Sequence, residues 1–255
     1  KEKYIQFFKN VAKNTREMIV NWQRVGFVHG VMNTDNMSIH GITIDYGPYG
    51  WLEDYNPNWT PNTTDAEGKR YRFGNQANIA LWNLYQLANA LYPLIEEAEP
   101  LEMILNNFAK KYDEDFSEMM LKKLGITSKN EEIDKLIQQL LYNLEQTETD
   151  YTIFFRNLNQ IHKTDSVEEC ISKINFAFYK PEEVTGIILE TWHFWFAQYL
   201  TILKEENNSD LERKTILNSV NPKYVLRNYM AQTAIELAEK EDYSLIDELY
   251  TLLLN

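Results

Sequence analysis

Residues 29–50 read HGVMNTDNMSIHGITIDYGPYG and form the least regular stretch of the chain. They contain four of the nine glycines, together with two histidines, two asparagines and two aspartates. Polar and flexible residues at this density are typical of a loop that turns sharply and presents side chains to a ligand. This stretch is therefore the candidate functional segment, and the segments on either side of it are expected to hold it in place.

The flanking segments have helical periodicity. Apolar residues recur at steps of three and four, and few glycines or prolines interrupt the chain after residue 100, so we expect an all-helical continuation. Within the candidate segment, residues 38–44 alternate around Gly41 and predict a tight two-stranded hairpin. A long loop then runs to about residue 75. The predicted helices span residues 2–25, 78–94, 101–124, 130–144, 148–161, 166–177, 183–206, 222–241 and 243–253.

Charge is unevenly distributed along the chain. Residues 1–75 have nine Lys or Arg against eight Asp or Glu, whereas the rest has sixteen against thirty, and the net charge is −13. An acidic surface repels phosphate backbones, so we expect no nucleic-acid partner. The nearly neutral first part can still hold a nucleotide if a metal ion offsets the phosphate charge.

The most apolar stretch, residues 184–203, is about as long as the roughly 20 residues that a membrane span needs. Glu190, His193 and Gln198 interrupt it, and a charge at the centre of a span is unfavourable by about 2.5–3.5 kcal/mol. We therefore expect a central bundle helix and no membrane partner. The aromatic residues at 192–196 are expected to be core rather than a ligand platform.

The N-terminus and the cysteine content give information on the cellular compartment of the protein. The first ten residues, KEKYIQFFKN, interleave charges with aromatics and carry no targeting signal. Cys170 is the only cysteine, which excludes an internal disulfide and favours a reducing compartment. Its surroundings contain no catalytic motif, so we predict a plain buried thiol.

The spacing of polar residues in the candidate segment is similar to that of a protein-kinase catalytic loop. Kinases have His-x-Asp-x-x-x-x-Asn, then a hairpin and an Asp-Phe-Gly triplet that binds metal. Here His29 and Asn36 keep this spacing, Asp45-Tyr46-Gly47 follows, and Val31 stands where the kinase base would be. Asn36 and Asp45 could then share one metal ion, because hard cations prefer amide and carboxylate oxygens.

Asp35 and His29 complete this interpretation of the loop. Asp35 is the other carboxylate of the loop and could orient a substrate or serve as a displaced base. His29 is expected to brace the loop through hydrogen bonds rather than to transfer protons. The alternative is that these Asn, Asp and Gly residues are ordinary turn residues with no ligand, and the spacing alone leaves that alternative open.

Longer blocks carry a more specific resemblance, to the selenoprotein O family of kinase-like proteins that transfer AMP to hydroxyl side chains of other proteins. The blocks are GFVHGVMNTDNMSIHGITIDYGPYGWLEDYNPNW, RYRFGNQANIALWNLYQLANAL, which includes Arg72, and NPKYVLRNYMAQTAIELAEKEDYS. They are distributed over the whole chain. The resemblance implies Asp35 as the proposed catalytic base, and Asn36 and Asp45 as metal ligands that bind the cofactors, Mg²⁺ (or Mn²⁺) and ATP. Val31 is part of the resemblance, because the family lacks the usual kinase Asp.

The fold implied is mainly α: a protein-kinase-like C-terminal lobe with a short β-hairpin at the catalytic loop, extended by a helical bundle. We expect residues 1–100 to form the lobe core with the catalytic loop and DYG segment, and residues 101–255 to form a helical extension packed on the same lobe. The family's N-terminal lobe, which holds the nucleotide phosphates, has no counterpart here. We therefore expect a fragment that is inactive alone, with the N-terminal lobe of the same protein as a partner.

The function predicted for the whole protein is transfer of AMP from Mg-ATP to Ser, Thr or Tyr hydroxyls of proteins. The alternatives are a non-catalytic helical interaction module and an ordinary protein kinase. The resemblance implies a cytoplasmic protein in bacteria and a mitochondrial one in eukaryotes. The aromatic residues of the loop remain open between contact with a protein substrate and packing on the helices: Tyr46, Tyr49, Trp51, Tyr55 and Trp59.

Overall fold

The computed structural model describes residues 1–254, and 67% of the chain is helical, so the predicted mainly α class is confirmed. Two short strands, β1 (Phe27–Val28) and β2 (Gly50–Trp51), are the β structure among the described residues. The helices are α1 (Glu2–Val25), α2 (Gln76–Ile95), α3 (Glu99–Leu124), α4 (Glu131–Gln146), α5 (Tyr151–Asn157), α6 (Val167–Ile174), α7 (Gly186–Glu205), α8 (Asp210–Val220), α9 (Asn228–Ala238) and α10 (Ser244–Leu253).

Helix α1 ends where the sequence predicts. Gly26 adopts a left-handed conformation with φ +74°, and its N–H bonds back to the carbonyls of Gln23 and Trp22. Glycine populates this conformation without the steric penalty of a side chain, so it terminates the helix and redirects the chain into β1. The candidate segment follows directly from this turn.

The chain divides into two compact units. Unit 1 contains residues 1–49 and 57–119, and unit 2 contains residues 50–56 and the chain from residue 120 onward. In unit 1, α1 packs against α2, and Phe8, Ile19, Ile79 and Leu84 are buried in its core. The candidate segment, up to residue 49, belongs to unit 1.

Unit 2 is built around helix α7, which packs against α4 and α6. Trp192, Trp195, Phe196 and Tyr199 of α7 are all fully buried. The Trp195 ring stacks on Tyr199 with centroids 4.9 Å apart, and it meets Phe196 edge to face at 4.8 Å. The prediction that this aromatic cluster is core is therefore confirmed for most of its members, although Phe194 is exposed.

The predicted hairpin at residues 38–44 is wrong, because these residues form no strand. The segment instead turns at Ser38, whose carbonyl accepts the N–H of Gly41, and it lies along α1. Trp22 Nε1 donates to Thr43 Oγ1 at 2.9 Å, and the backbone of Gly41 approaches Asn14 so closely that a side chain would collide with it. Contacts with α1 thus replace the expected strand pairing.

Helix boundaries differ from prediction most clearly after residue 206. Helix α8 was not predicted, although Ser209 and Glu212 form a reciprocal capping box at its start. The helix predicted over residues 222–241 begins only at Asn228, and α5 is shorter than predicted at both ends. Helix α8 buries Arg213 and Leu217, which are 0% and 1% exposed.

Two further predictions concern α7 and the cysteine. None of the helices within residues 1–254 combines the length and the apolar character that crossing a membrane requires. Cys170, in α6, is fully buried. Burial, helped by the nearby carboxylate of Asp165, raises the pKa of its thiol to about 12. The buried position of the free thiol agrees with the prediction.

Candidate functional site

The first residues of the candidate segment are anchored by one side chain from helix α2. Gln76 Nε2 donates to the carbonyl of Phe27 at 2.9 Å, and Gln76 Oε1 accepts the N–H of His29 at 3.1 Å. Gln76 is completely buried. A glutamine can satisfy one donor and one acceptor together, so Gln76 alone bonds to two backbone groups of this extended segment.

Two asparagines continue this anchoring along the loop. Asn62 Nδ2 donates to the Gly30 carbonyl and Asn83 Nδ2 to the Met32 carbonyl, each at 3.0 Å. Both asparagines are buried, so these bonds are shielded from water. The backbone of residues 27–32 is therefore held by amide side chains that come from the loop near residue 62 and from α2.

His29 links the two ends of the candidate segment. Its Nε2 lies 2.8 Å from the Ile44 carbonyl, which can only accept, so Nε2 carries the proton. Its Nδ1 then accepts the N–H of Val31, and its ring packs on Trp22 with centroids 5.4 Å apart. His29 is 1% exposed and both ring nitrogens are engaged. The prediction of a loop-bracing histidine is confirmed.

A short chain of hydrogen bonds runs from Asn36 to Ile44, the residue before Asp45. Asn36, at the end of the 3₁₀ turn Thr34–Asn36, donates from Nδ2 to the Val31 carbonyl at 2.9 Å. Val31 in turn donates to His29, and His29 donates to Ile44, the residue before Asp45. The bonding therefore links the segments that carry the two predicted metal ligands.

The predicted site residues present oxygen atoms that make no contact with protein donors. Asp35 and Asp45 are exposed, and within residues 1–254 their carboxylates have no hydrogen-bond or ion-pair partner. Asn36 uses its amide nitrogen, which leaves Oδ1 without a donor from the described chain. A carboxylate and an amide oxygen are hard ligands that suit Mg²⁺, so the donor set fits this ion.

Protein ligands alone would leave such an ion incompletely coordinated. Among the described residues, there is no group of three or more His, Cys, Asp or Glu side chains placed to hold a metal. Mg²⁺ usually keeps several waters and binds through one or two carboxylates together with substrate phosphates. The two predicted ligands therefore fit a metal that is held jointly with a nucleotide.

The backbone around Asp45 and Gly30 is tightly constrained. Asp45 has φ +56°, and its carbonyl accepts the N–H of Gly47 at 2.8 Å. Gly30 has φ +81°, and a Cβ at this position would collide with the carbonyl oxygen of Pro48. The chain after Asp45 thus passes directly over the backbone that precedes Val31, which only glycine permits.

The aromatic residues of the loop are mainly packed. Tyr49 stacks on Phe27 at 6.1 Å, and Tyr46 meets Tyr49 edge to face at 5.3 Å, although Tyr46 itself is 58% exposed. In unit 2, Tyr55 stacks on Tyr151 at 5.7 Å. Burial, together with the charge of Glu145, raises the pKa of Tyr55 to about 12. Packing accounts for Tyr49 and Tyr55, whereas Tyr46 packs on Tyr49 and keeps more than half of its surface exposed.

A cavity of about 330 Å³ lies beside the loop, between α1 and α2 in unit 1. Thr34 and Met37 of the loop contribute to its wall, and five apolar helix residues form half of the rest: Val11 of α1 and Ala80, Leu84, Leu87 and Ala90 of α2. Asn83 also lines it, and the Oδ1 of this residue is buried without a hydrogen-bond partner among the described residues. Gln76, Asn62 and Asn83 were not identified from the sequence as residues that anchor the loop. For the two residues of α2, the available signal was a polar side chain on the apolar face of the helix.

Comparison with known proteins identifies the family. A family model described as "Protein adenylyltransferase SelO" matches residues 1–254. The chain belongs to the SelO family. The resemblance seen in the sequence is therefore confirmed.

Individual relatives support the SelO assignment. The chain is 65% identical over 253 residues to "Protein nucleotidyltransferase YdiU" of Flavobacterium johnsoniae, which covers 99% of this chain and 48% of that protein. Proteins of the same name from Aromatoleum aromaticum and Rhodopirellula baltica are 48% and 47% identical, each covering 96% of this chain. They are matched over 46% and 48% of their own lengths. The chain thus spans about half the length of these curated SelO-family relatives.

Proposed function

We propose that the protein to which this chain belongs transfers AMP from ATP to Ser, Thr or Tyr hydroxyls of other proteins. Membership of the SelO family and relatives named protein nucleotidyltransferases support this activity. The observation that carries the proposal to particular residues is the hydrogen-bonded link through His29 and Val31. It joins the segments of Asn36 and Asp45, while the side-chain oxygens of both residues have no donor among the described residues.

In the proposed mechanism, Asn36 and Asp45 would hold Mg²⁺ or Mn²⁺ together with the bound ATP. When bound, the ion supplies charge stabilisation worth several kcal/mol to a phosphoryl-transfer transition state. The substrate hydroxyl attacks the α-phosphorus, the bond to the pyrophosphate oxygen breaks, and pyrophosphate leaves. The hydroxyl proton passes to the carboxylate of Asp35, which is exposed and has no competing partner among the described residues.

His29 and the buried amides have a positioning role in this proposal. Gln76, Asn62 and Asn83 fix the backbone of residues 27–32, and His29 joins it to Ile44. We expect this bracing to limit the rearrangement of the segments that carry Asn36 and Asp45 when the metal binds, and pre-arranged charge is effective in catalysis. Val31 provides the carbonyl that orients Asn36 and takes no part as a base.

We also propose different structural roles for the two parts of the chain. Residues 1–100 would form the core of a kinase-like C-terminal lobe, and residues 101–255 a helical extension of that lobe. An N-terminal lobe of the same protein would hold most of the nucleotide. Residues 1–255 alone are accordingly expected to transfer no AMP and to bind Mg²⁺ at most weakly.

The test uses the complete protein with ATP labelled at either the α- or the γ-phosphate. Asp45→Ala should reduce transfer of the α-label to protein by at least about 100-fold, because several kcal/mol of stabilisation is lost. Asp113→Ala is the matched control, since Asp113 is also an exposed aspartate of unit 1 without a partner among the described residues. Undiminished transfer by the Asp45 variant would reject the site, and transfer of the γ-label would instead identify a kinase.

A further inference from the structure

A second surface of unit 1 has features of a binding site. Helices α1 and α3 enclose a groove of about 630 Å³ on the side of α1 that carries Lys9 and Lys13. Its floor is apolar and includes Phe108, which is buried, and Met103, which is 64% exposed. We call this feature the basic groove, because four cationic side chains line it: Lys9, Lys13, Arg16 and Lys111.

The charged side chains that line the basic groove are all cations, although the chain is acidic and carboxylates just outside the lining pair with three of them. The chain has a net charge of −13, yet no Asp or Glu is among the described residues that line the groove. Lys9 has no ion-pair or hydrogen-bond partner within residues 1–254. Arg16 pairs with Asp115 at 2.6 Å and is only 15% exposed, so it is fixed at the edge of the floor.

The other two cations are engaged only by weak surface pairs. Lys13 pairs with Glu17 at 2.9 Å and Lys111 with Glu114 at 2.6 Å, and all four side chains are at least 41% exposed. Exposed pairs of this kind contribute roughly 0–1 kcal/mol. Carboxylates of a partner can therefore replace Glu17 and Glu114 with little loss of stability.

The spacing of the cations matches a helix. Lys9, Lys13 and Arg16 follow one side of α1 at intervals of four and three residues, which spans about 10 Å along its axis. Met103 and Phe108 contribute apolar surface to the floor below them. An amphipathic helix presents the complementary pattern: apolar side chains at intervals of three and four residues, with carboxylates beside them.

We propose that the basic groove docks an acidic amphipathic helix of a partner protein. Apolar side chains of that helix fill the floor over Met103 and Phe108, and its carboxylates pair with Lys9, Lys13 and Lys111. Nucleic acid and anionic membranes extend beyond the groove and would meet the acidic remainder of the chain, whereas a short helix contacts the cationic lining alone. A flat bilayer also cannot follow a concave floor. The proposal does not depend on AMP transfer.

The first step of the test is a selection. Displayed peptides of about 14 residues, or four helical turns, are selected on the complete protein to which this chain belongs and counter-selected on its Lys9→Glu/Lys13→Glu variant. Enriched sequences should combine Asp or Glu with apolar residues at intervals of three and four. Enrichment of basic or neutral peptides, or no enrichment over the counter-selection, would overturn the proposal.

The second step measures affinity for the most enriched peptide by fluorescence anisotropy. Lys9→Glu/Lys13→Glu and, separately, Met103→Asp should each weaken binding at least about 10-fold. Lys204→Glu/Lys214→Glu is the matched control, since it makes the same charge change at exposed positions of unit 2 and should leave affinity unchanged. Equal loss in the control would show non-specific charge attraction and overturn the proposal.

Folding and membrane binding are checked with the same proteins. Circular dichroism melting curves should be the same for the wild type and all variants, and Met103→Ala provides a milder floor substitution if Met103→Asp melts early. Vesicles containing phosphatidylserine should not bind the chain. Vesicle binding that the two Glu substitutions abolish would assign the groove to membranes instead.

Discussion

Residues 27–49 of unit 1 and the aromatic core of unit 2 are held in place by different interactions. The loop is fixed by hydrogen bonds from buried amide side chains to its backbone carbonyls, as with Gln76 and Phe27. The core around Trp195 is fixed by ring contacts that exclude water. Directional bonds can hold an irregular backbone whose carboxylates face solvent, whereas burial stabilises regular helices.

This difference predicts two kinds of response to mutation. Aromatic burial is shared among many atoms, so loss of a ring should weaken unit 2 as a whole. The amide bonds of the loop act at single backbone groups, so loss of one should loosen the loop while the helices stay folded. Four substitutions test this distinction, from the largest expected change in stability to the smallest.

Trp195→Ala should have the largest effect. Truncating a fully buried aromatic side chain is unfavourable by about 3–5 kcal/mol, and this change also leaves the Leu136 carbonyl without its donor, Trp195 Nε1. Urea unfolding, monitored by circular dichroism, measures this loss of unfolding free energy. Phe194→Ala, at the exposed neighbouring position, should change the unfolding free energy by no more than about 0.5 kcal/mol. Similar losses at the two positions would contradict the burial argument.

Gly30→Ala should come next and should act on the loop. The substitution places a side chain at φ +81° against the Pro48 carbonyl, and backbone strain of this kind amounts to about 1–3 kcal/mol. Hydrogen exchange should increase in residues 27–49 and remain unchanged in α7. The matched control is Gly47→Ala, where a Cβ would meet no atom within 4 Å. Equal exchange in the two variants would show that the close approach is unimportant.

Gln76→Ala should loosen the same loop by removing both of its bonds to the backbone. Each buried group left without a partner is unfavourable by about 1–3 kcal/mol, and part of this is recovered as the loop opens to water. Exchange at the His29 amide, which loses its acceptor, reports the change directly. Asn89→Ala, at an exposed position of α2, should leave that amide protected. A uniform loss of protection over unit 1 would mean that Gln76 supports the core and not the loop alone.

Glu206→Gln should have the smallest effect, and one that depends on pH. Burial alone would raise the pKa of the Glu206 carboxyl, but the hydrogen bonds that Thr127 and Ser128 donate outweigh burial and lower it. The contribution of these hydrogen bonds to the free energy of unfolding is therefore fully present above the unfolded-state pKa, near 4.5. It is lost as the pH falls through the lower pKa of the folded state. The variant should lose about 1–2 kcal/mol at pH 7 and have a flatter stability curve below pH 4.5.

The control for this last prediction is Glu205→Gln. Glu205 is exposed at the end of α7 and has no hydrogen-bond or ion-pair partner among the described residues, so its stability curve should follow that of the wild type at every pH. Parallel curves for the two variants would show that the acid sensitivity does not originate at Glu206.

The sequence allowed good prediction where structure depends on local pattern. Helix α1, its end at Gly26 and the buried aromatic face of α7 each follow from residues a few positions apart. Helix α8 was missed although the capping box of Ser209 and Glu212 was present, because its short apolar pattern was weak. The hairpin was predicted from alternation alone, and alternation does not reveal that Thr43 bonds to Trp22 instead.

The site was only partly predictable for a related reason. The spacing of His29, Asn36 and Asp45 lies within one segment, and the bracing role of His29 could be anticipated from it. Gln76 and Asn83 are about 50 residues away from the carbonyls that they bind, and no local pattern connects such positions. Which polar residue of a helix reaches a loop is decided by tertiary packing.

The enclosed thiol of Cys170 has a practical consequence for spectroscopy. Cys170 is the only cysteine in the sequence, it is fully buried, and the pKa of its thiol is raised to about 12. Reagents that modify thiolates should therefore not react with it in the folded chain. Within these 255 residues, a cysteine introduced at an exposed position is then the preferred attachment point for a spin label or fluorophore. Movements of the loop can thus be followed in an otherwise natural sequence.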